Sequence, residues 1–298
     1  MSNTDDYVLG THDGEIARLR LQHQVWRAHM LDAWMRAGMT KGSRVIDFGA
    51  GPGFASLDAA EIVGANGEVV GVERSAHFLC FARRQIERHD SPHVRFLERD
   101  LCEDALELWE FDVAWCRWVA SFVANPRTLV RRIADCLRSG GRAVFHEYQS
   151  YATWRCIPTS RLIDDFVAEV MSSWRASGDE PDIAPALIPM LSETGFKLIE
   201  VRPLIFAVRP SQFMWQWPAA FGLSNSQRLA DLTRVSRESR LSAGDASVPD
   251  GLPVACFRSI GGVVRGRLNR TKVMLEDPLR DAPALFPGAG VRVAVVDA

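Results

Sequence analysis

No C-x-x-C pair occurs in this chain. Its six cysteines, Cys80, Cys102, Cys116, Cys136, Cys156 and Cys256, are scattered. That argues against zinc ligation and a disulfide framework, and favours reduced thiols in a cytoplasmic protein. No metal site is expected. No apolar run approaches the ~20 residues of a membrane span. The acidic N-terminus, MSNTDDYVLGTHDGE, has no hydrophobic signal region. Charge of one sign is missing too: 35 basic residues against 37 acidic ones leave a net charge of −2. Nothing electrostatic therefore points to nucleic acid or a membrane surface as a partner. There is no internal repeat. What remains is an ordinary globular composition on 298 residues, enough to bury a full core in one or two domains.

The glycines carry more information. Residues 44–54 read RVIDFGAGPGF. A short β-branched run, Val45 and Ile46, meets Asp47, and glycine then falls at every second position, at Gly49, Gly51 and Gly53. Glycine has no Cβ to hold a ligand away, so a strand ending this way lets backbone approach a bound group. The helix pattern that follows, ASLDAAEIVG, points its first N–H groups at the same place. Strand, glycine turn and helix open a nucleotide-binding α/β sheet. Two details weigh against NAD. Read from Gly49, the third small position of G-x-G-x-x-G falls on Phe54, and that position serves tight helix–strand packing. Asp47 beside the turn would repel a pyrophosphate but suits a ligand carrying an ammonium and a sulfonium.

Ile16, Leu19, Val25, Trp26, Met30, Leu31 and Trp34 recur at helical spacing, which predicts a helix over 15–37 that stops at Gly38. Strands are expected at 44–48, at EVVGVER ending in Glu73, at VRFLERD ending in Asp100, at FDVAWCRW and at RAVFHEYQ, the last after an SGG loop. Helices are expected over 54–63, after Ser75 as N-cap, and over 126–137 with Pro126 in the first turn. This alternation implies βαβ units and a mostly parallel sheet. Right-handed crossovers gather the C-terminal strand ends, with their acids and glycines, on one edge. Past Tyr151 the rhythm breaks. Helices over 161–176 and 183–194 precede FKLIEVRPLIFAV, a strand-like run interrupted by Pro203. Two later β-like runs, VACF near Val254 and VRVAVV near Val291, compete for the place of a seventh strand.

Glu73 closes strand two about 20 residues past the glycine turn, where an acid accepts both ribose hydroxyls. It supports a nucleoside without choosing one; a surface carboxylate is the alternative reading. The series Asp47 to Gly53, Glu73, Asp100, FDVAWCRWVASFVANP and LRSGGRAVFHEY resembles the motifs of class I S-adenosylmethionine (SAM) methyltransferases. YVLG at Tyr7, EIARLRLQHQVW from Glu15, RWVASFV, HEYQSYATW, SWRASGDEPDI and MWQWP narrow the resemblance. They are similar to a small-molecule group related to the ubiquinone/menaquinone C-methyltransferases. The resemblance covers about residues 7–220. Beyond it, the Arg-rich GGVVRGRLNR departs from the apolar closing strand of that family.

The resemblance implies an α/β, Rossmann-like, doubly wound and mostly parallel seven-stranded sheet. It implies a helical lid over 1–42, a SAM-binding core over 43–150, and, in the same domain, insertion helices, closing strands and a tail over 151–298. It implies S-adenosyl-L-methionine as cofactor. Asp47, Gly49, Ala50, Gly51 and Gly53 then form the turn, with Glu73 and Arg74 on the ribose side. Asp100 and Leu101 lie at the adenine, although Asp100 alone reads equally as a helix N-cap. Cys116 and Arg117 end the strand that floors the methionine half. Tyr7, Arg18 and Gln22 of the lid reach the cofactor carboxylate; the last two, four apart, share a helix face. The alternative is a solvated Arg18 and a Tyr7 that only packs. A buried guanidinium at Arg117 needs an anion, supplied by that carboxylate or by Asp47.

The implied chemistry is in-line methyl transfer from a sulfonium, where alignment is the main task. A base is needed only for an acceptor that holds its proton tightly. His146 and Glu147, at the end of strand five, are the candidates, and alternation sends their side chains to opposite faces. His23 on the lid helix is a third catalytic candidate, with packing as its alternative. Trp115, Trp118, Trp154, Trp174, Trp215 and Trp217 together would wall an apolar acceptor pocket, though singly each reads as core. The expected function is methylation of a small, largely apolar or aromatic acceptor, quinone-like or a secondary metabolite. The competing readings are a catalytically silent SAM-binding module and an NAD-dependent oxidoreductase. The acceptor, the atom methylated and the oligomeric state stay open.

Overall fold

The computed structural model describes residues 12–231 and 254–265. Its first element is a long helix, α1 (Asp13–Arg36). Five parallel strands then form the centre: β1 (Arg44–Phe48), β2 (Glu68–Glu73), β3 (Val94–Glu98), β4 (Phe111–Arg117) and β5 (Leu137–Tyr148). Helices α2 (Phe54–Val63), α3 (Ala76–His89) and α4 (Pro126–Cys136) connect them. The order is β3-β2-β1-β4-β5. It reverses between β1 and β4, so the crevice at this switch point opens above the C-terminal ends of those two strands. Register pairs Asp47 with Trp115 and Arg117 with His146.

The central strands are apolar on both faces, as a sheet covered on two sides requires. Ile46, Phe48, Val70, Val72, Ala114 and Cys116 join Leu129, Val130 and Ile133 of α4 in one layer. Val45, Val69, Val113, Trp115 and Val144 join α2, Leu79 and Ala82 of α3, and Met30 and Trp34 of α1 in the other. The expected lid is therefore core in its C-terminal half: Trp34 packs edge-on against Trp115 with centroids 5.3 Å apart.

After β5 come a three-residue strand, β6 (Arg155–Ile157), and helices α5 (Arg161–Ala176) and α6 (Ala184–Glu193), which form the expected insertion. Strand β7 (Lys197–Val208), helix α7 (Gln216–Asp231) and strand β8 (Val254–Arg265) follow. Strand β8 runs antiparallel to β5, β6 and β7. Among the described residues the sheet thus has eight strands rather than seven, the addition being β6. The run at Val254 is the closing strand, and it includes the start of the Arg-rich segment. The run at Val291 and Tyr7 lie outside the described residues. Pro203 does not interrupt β7, because β7 pairs with β8 alone among the described residues, and an edge strand tolerates a missing N–H. The expected SGG loop is part of β5, absorbed by a register shift between Phe111 and Val113.

Candidate functional site

The turn after β1 is tied to β2, since Gly49 and Ala50 donate their N–H groups to the Val72 carbonyl at 2.9 and 3.0 Å. Its three glycines all have positive φ, yet they serve different ends. A Cβ on Gly49 would lie 2.4 Å from Val119, and one on Gly53 2.6 Å from Phe96. These two are small so that the protein can pack. A Cβ on Gly51 would meet nothing within 4 Å. The expectation that all three glycines admit a ligand is corrected: the turn opens at Gly51.

Beside that opening lies Glu73. Its Oε2 accepts from Gly51 N–H at 2.9 Å and its Oε1 from Ser75 N–H at 2.8 Å. Burial raises its pKa, and the Ser75 and Gly51 N–H groups oppose the rise. Each oxygen keeps a lone pair for a hydroxyl. Asp100 follows its alternative reading more closely. Its Oδ1 caps its own turn, accepting from the N–H groups of Cys102 at 2.7 Å and Glu103 at 3.1 Å. Its Oδ2 lies 3.7 Å from Arg74 Nη1. Leu101 and Cys116 point into the core under the sheet, and burial drives the Cys116 thiol well above its usual range. Neither side chain lines the crevice.

Asp47 is buried and accepts from Ser56 Oγ at 2.6 Å. Burial pushes its pKa up to about 7, against the Ser56 hydroxyl and the charge of Arg117. Burial likewise lowers Arg117 to about 10, although Asp47 acts to raise it. No carboxylate among the described residues comes within ion-pair distance of Arg117. Its Nη1 points at Met30 Sδ, 3.7 Å away, its Nη2 at His23 Nδ1, 3.3 Å away, and its carbon sits 5.1 Å from the Trp118 ring centre.

Helix α1 crosses above these strand ends. Arg18 is buried rather than solvated, and it grips Glu15 with Nε and Nη2 at 2.8 and 2.6 Å. Its Nη1 donates to Gln22 Oε1 at 2.5 Å, and that oxygen also accepts from Trp217 Nε1 at 3.2 Å. Arg18 and Gln22 do share a face, as expected, and they tie α1 to α7. His23 has both ring nitrogens engaged, by Asp58 and by Arg117, so a role as a base is corrected to one in holding Arg117. Sequence reasoning missed Asp58, which lies on an ordinary helix with no motif around it.

His146 and Glu147 do face opposite ways. Glu147 Oε1 accepts from Val119 and Ala120 N–H, both at 2.9 Å, and Oε2 from Ser121 Oγ at 3.3 Å. It shapes the loop after β4, and the expectation that it is a general base is corrected. Burial, opposed by these donors, pushes it up to about 7. His146 sits among Trp26, Trp115 and Trp118, with its Nε2 buried and without a hydrogen-bond partner. Burial, then the charges of Arg117 and His29, hold it well below its usual pKa. Trp118, Trp154, Trp174 and Trp217 share one aromatic cluster with Trp26, Tyr148 and Tyr151, and Trp215 packs against it. Trp115 belongs instead to the core under α1.

Residues 39–180 match the methyltransferase-domain family. That stretch of the chain is similar to a methyltransferase domain. The demethylmenaquinone methyltransferase of Lactococcus lactis is 28% identical over 123 residues, 41% of this chain and 48% of that protein. The 2-phytyl-1,4-naphtoquinone methyltransferase of Synechocystis is 25% identical over 171 residues, 56% of this chain and 69% of that protein. The chain spans about half the length of the first curated relatives it matches. In fold, the YcgJ protein of Bacillus subtilis superposes at a TM-score of 0.53 with 16% identity, covering 83% of this chain and 100% of that one.

The crevice has features that suit SAM. Gly51 leaves room for a close approach, and Glu73 has lone pairs free for ribose hydroxyls. No carboxylate among the described residues pairs with the part-buried Arg117, and the amino-acid tail of SAM ends in a carboxylate.

Proposed function

We propose that this protein is a SAM-dependent methyltransferase acting on a small, largely apolar or aromatic acceptor of the quinone-like kind. The reading is carried by Arg117, a part-buried guanidinium at the strand end beside the glycine turn with no carboxylate in ion-pair reach among the described residues. A buried charge is costly unless an anion joins it, and NAD offers no carboxylate. Glu73 holds the ribose. Arg74 lies beside it, Asp100 borders the adenine side, and Arg117 takes the tail carboxylate. When bound, SAM supplies a methyl group made electrophilic by its sulfonium.

The chain's own residues then align the acceptor and exclude water. The aromatic cluster around Trp118 and Tyr148, whose rings stack at 9° and 5.3 Å, offers flat apolar walls. The relatives named for menaquinone and naphthoquinone substrates support the same acceptor class. His146, kept neutral by its depressed pKa, can accept a hydrogen bond from an acceptor hydroxyl through Nε2. Cys80, Cys102, Cys116 and Cys136 carry free thiols, which fits a reducing cytoplasm, and no described helix is long and apolar enough to cross a membrane.

The test is turnover. Purified protein is incubated with methyl-labelled SAM and a panel of reduced naphthoquinones, benzoquinols and simple phenols, and products are read by mass spectrometry. A labelled methyl on a quinol or phenol supports the proposal. SAM binding without any product across host metabolites identifies the silent module. NAD binding without SAM binding returns the oxidoreductase.

A further inference from the structure

Side chains from three elements meet in a line at the crevice. His23 of α1 has Nε2 3.1 Å from Asp58 Oδ2 of α2 and Nδ1 3.3 Å from Arg117 Nη2 of β4. Arginine donates and never accepts. Nδ1 therefore carries the lone pair, the ring proton sits on Nε2, and Asp58 accepts it. Arg27 Nε donates to the same Asp58 oxygen at 2.7 Å. The Phe54 ring lies against the imidazole, with centroids 5.8 Å apart. These are the groups that face His23: one carboxylate, two guanidiniums and an aromatic ring. Burial first, then the charge of Arg117, lowers the pKa of His23 against the pull of Asp58, so the ring is neutral.

A neutral partner has a consequence a carboxylate would not. An acid in the place of His23 would fix Arg117 and also cancel its charge. The imidazole fixes its direction and leaves the charge for a ligand. The other contacts of this guanidinium, Met30 Sδ and the rings of Trp115 and Trp118, are uncharged, and the carboxylates of Asp47 and Asp58 act on it only from beyond ion-pair distance.

We propose that Asp58 and His23 position the Arg117 guanidinium for the carboxylate of the cofactor's amino-acid tail. His23 is then a positioning residue that sets how tightly the tail is held and leaves the nucleoside half alone. The inference rests on the reading of the crevice as a SAM site.

Two probes separate the halves. S-adenosylhomocysteine carries the tail; 5′-methylthioadenosine has the same nucleoside and no tail. Calorimetry with the full chain compares wild type, His23→Phe, His23→Gln and Asp58→Asn. His23→Phe keeps a ring against Phe54 but loses both hydrogen bonds. It should weaken S-adenosylhomocysteine about 10- to 100-fold, the worth of a hydrogen bond to a charged group, and move 5′-methylthioadenosine by less than about twofold. His23→Gln, whose amide offers an acceptor and a donor, should restore most of the loss. Asp58→Asn should show the same selectivity at smaller size, and it decides the matter should His23→Phe not fold. Equal losses on both probes, or no loss on S-adenosylhomocysteine, overturn the positioning role alone. Wild type that binds neither probe overturns the SAM reading and this proposal with it.

Discussion

Glu73 reaches across from β2 to accept the Gly51 N–H at 2.9 Å. One carboxylate thus shapes the turn and faces the space that the turn opens. Glu73→Gln keeps the size but leaves one terminus unable to accept. It should weaken S-adenosylhomocysteine by about 1–3 kcal/mol, read by calorimetry. Folding stability should fall by about 1 kcal/mol, because either Gly51 or Ser75 loses its acceptor. Normal affinity in a folded variant would remove the ribose role.

Glu147 gives the opposite expectation to a general base. Its three donors all come from residues 119–121. Glu147→Gln retains an oxygen for Val119 and Ala120, so the rate of methyl transfer should stay within about threefold of wild type, well short of the loss of a positioned base. Glu147→Leu strands all three donors and should destabilise by about 2–4 kcal/mol in urea denaturation. A large fall in kcat for Glu147→Gln with unchanged stability would reinstate the base.

Helix α1 was expected to cover the cofactor, and removing it would then leave a folded sheet. Trp26, Met30 and Trp34 are instead among the most deeply buried side chains. Deleting residues 1–37 should give a chain without cooperative unfolding by circular dichroism. Trp34→Ala alone should cost about 3–5 kcal/mol. A cooperatively folded truncation would show that the covering role suffices.

The parallel half of the fold was legible because each element carries its own signal. Strands β1 and β2 are apolar runs, the glycine turn follows β1, and Ser75 and Asn125 sit at helix starts, where each accepts a backbone N–H. Pro203 and the SGG of β5 misled for one reason: both break local rules that sheet position relaxes. At the site, Glu73 and Arg117 were legible from strand ends. The partners that fix their roles were not. Arg117 meets His23 from 94 residues away, and His23 meets Asp58 from 35 residues away. Alternation also could not say which face His146 took, because the closing strand beside β5 stayed open between the runs at Val254 and Val291.

The last prediction concerns pH. Asp47 has its pKa raised to about 7 by burial, so it changes charge near neutrality. The sulfonium of SAM is cationic and the thioether of S-adenosylhomocysteine is not. Ionised Asp47 should therefore favour SAM selectively. The preference for SAM over S-adenosylhomocysteine should grow about three- to tenfold from pH 6 to pH 8, corresponding to a Coulomb gain of about 1 kcal/mol at protein dielectric. In Asp47→Asn the preference should be flat. Stability carries the reverse sign. An acid whose folded pKa lies above its unfolded value of about 3.9 contributes fully below that value. The contribution is lost as pH rises towards about 7 and changes little beyond. The unliganded protein should thus lose up to about 4 kcal/mol from this group between pH 4 and pH 8, at about 1.4 kcal/mol per pKa unit. Glu147 titrates in the same window, so the difference between wild type and Asp47→Asn isolates the share of Asp47. Urea denaturation at pH 5 and pH 8 measures it, and a difference that does not change with pH would place the ionisation of Asp47 outside this range.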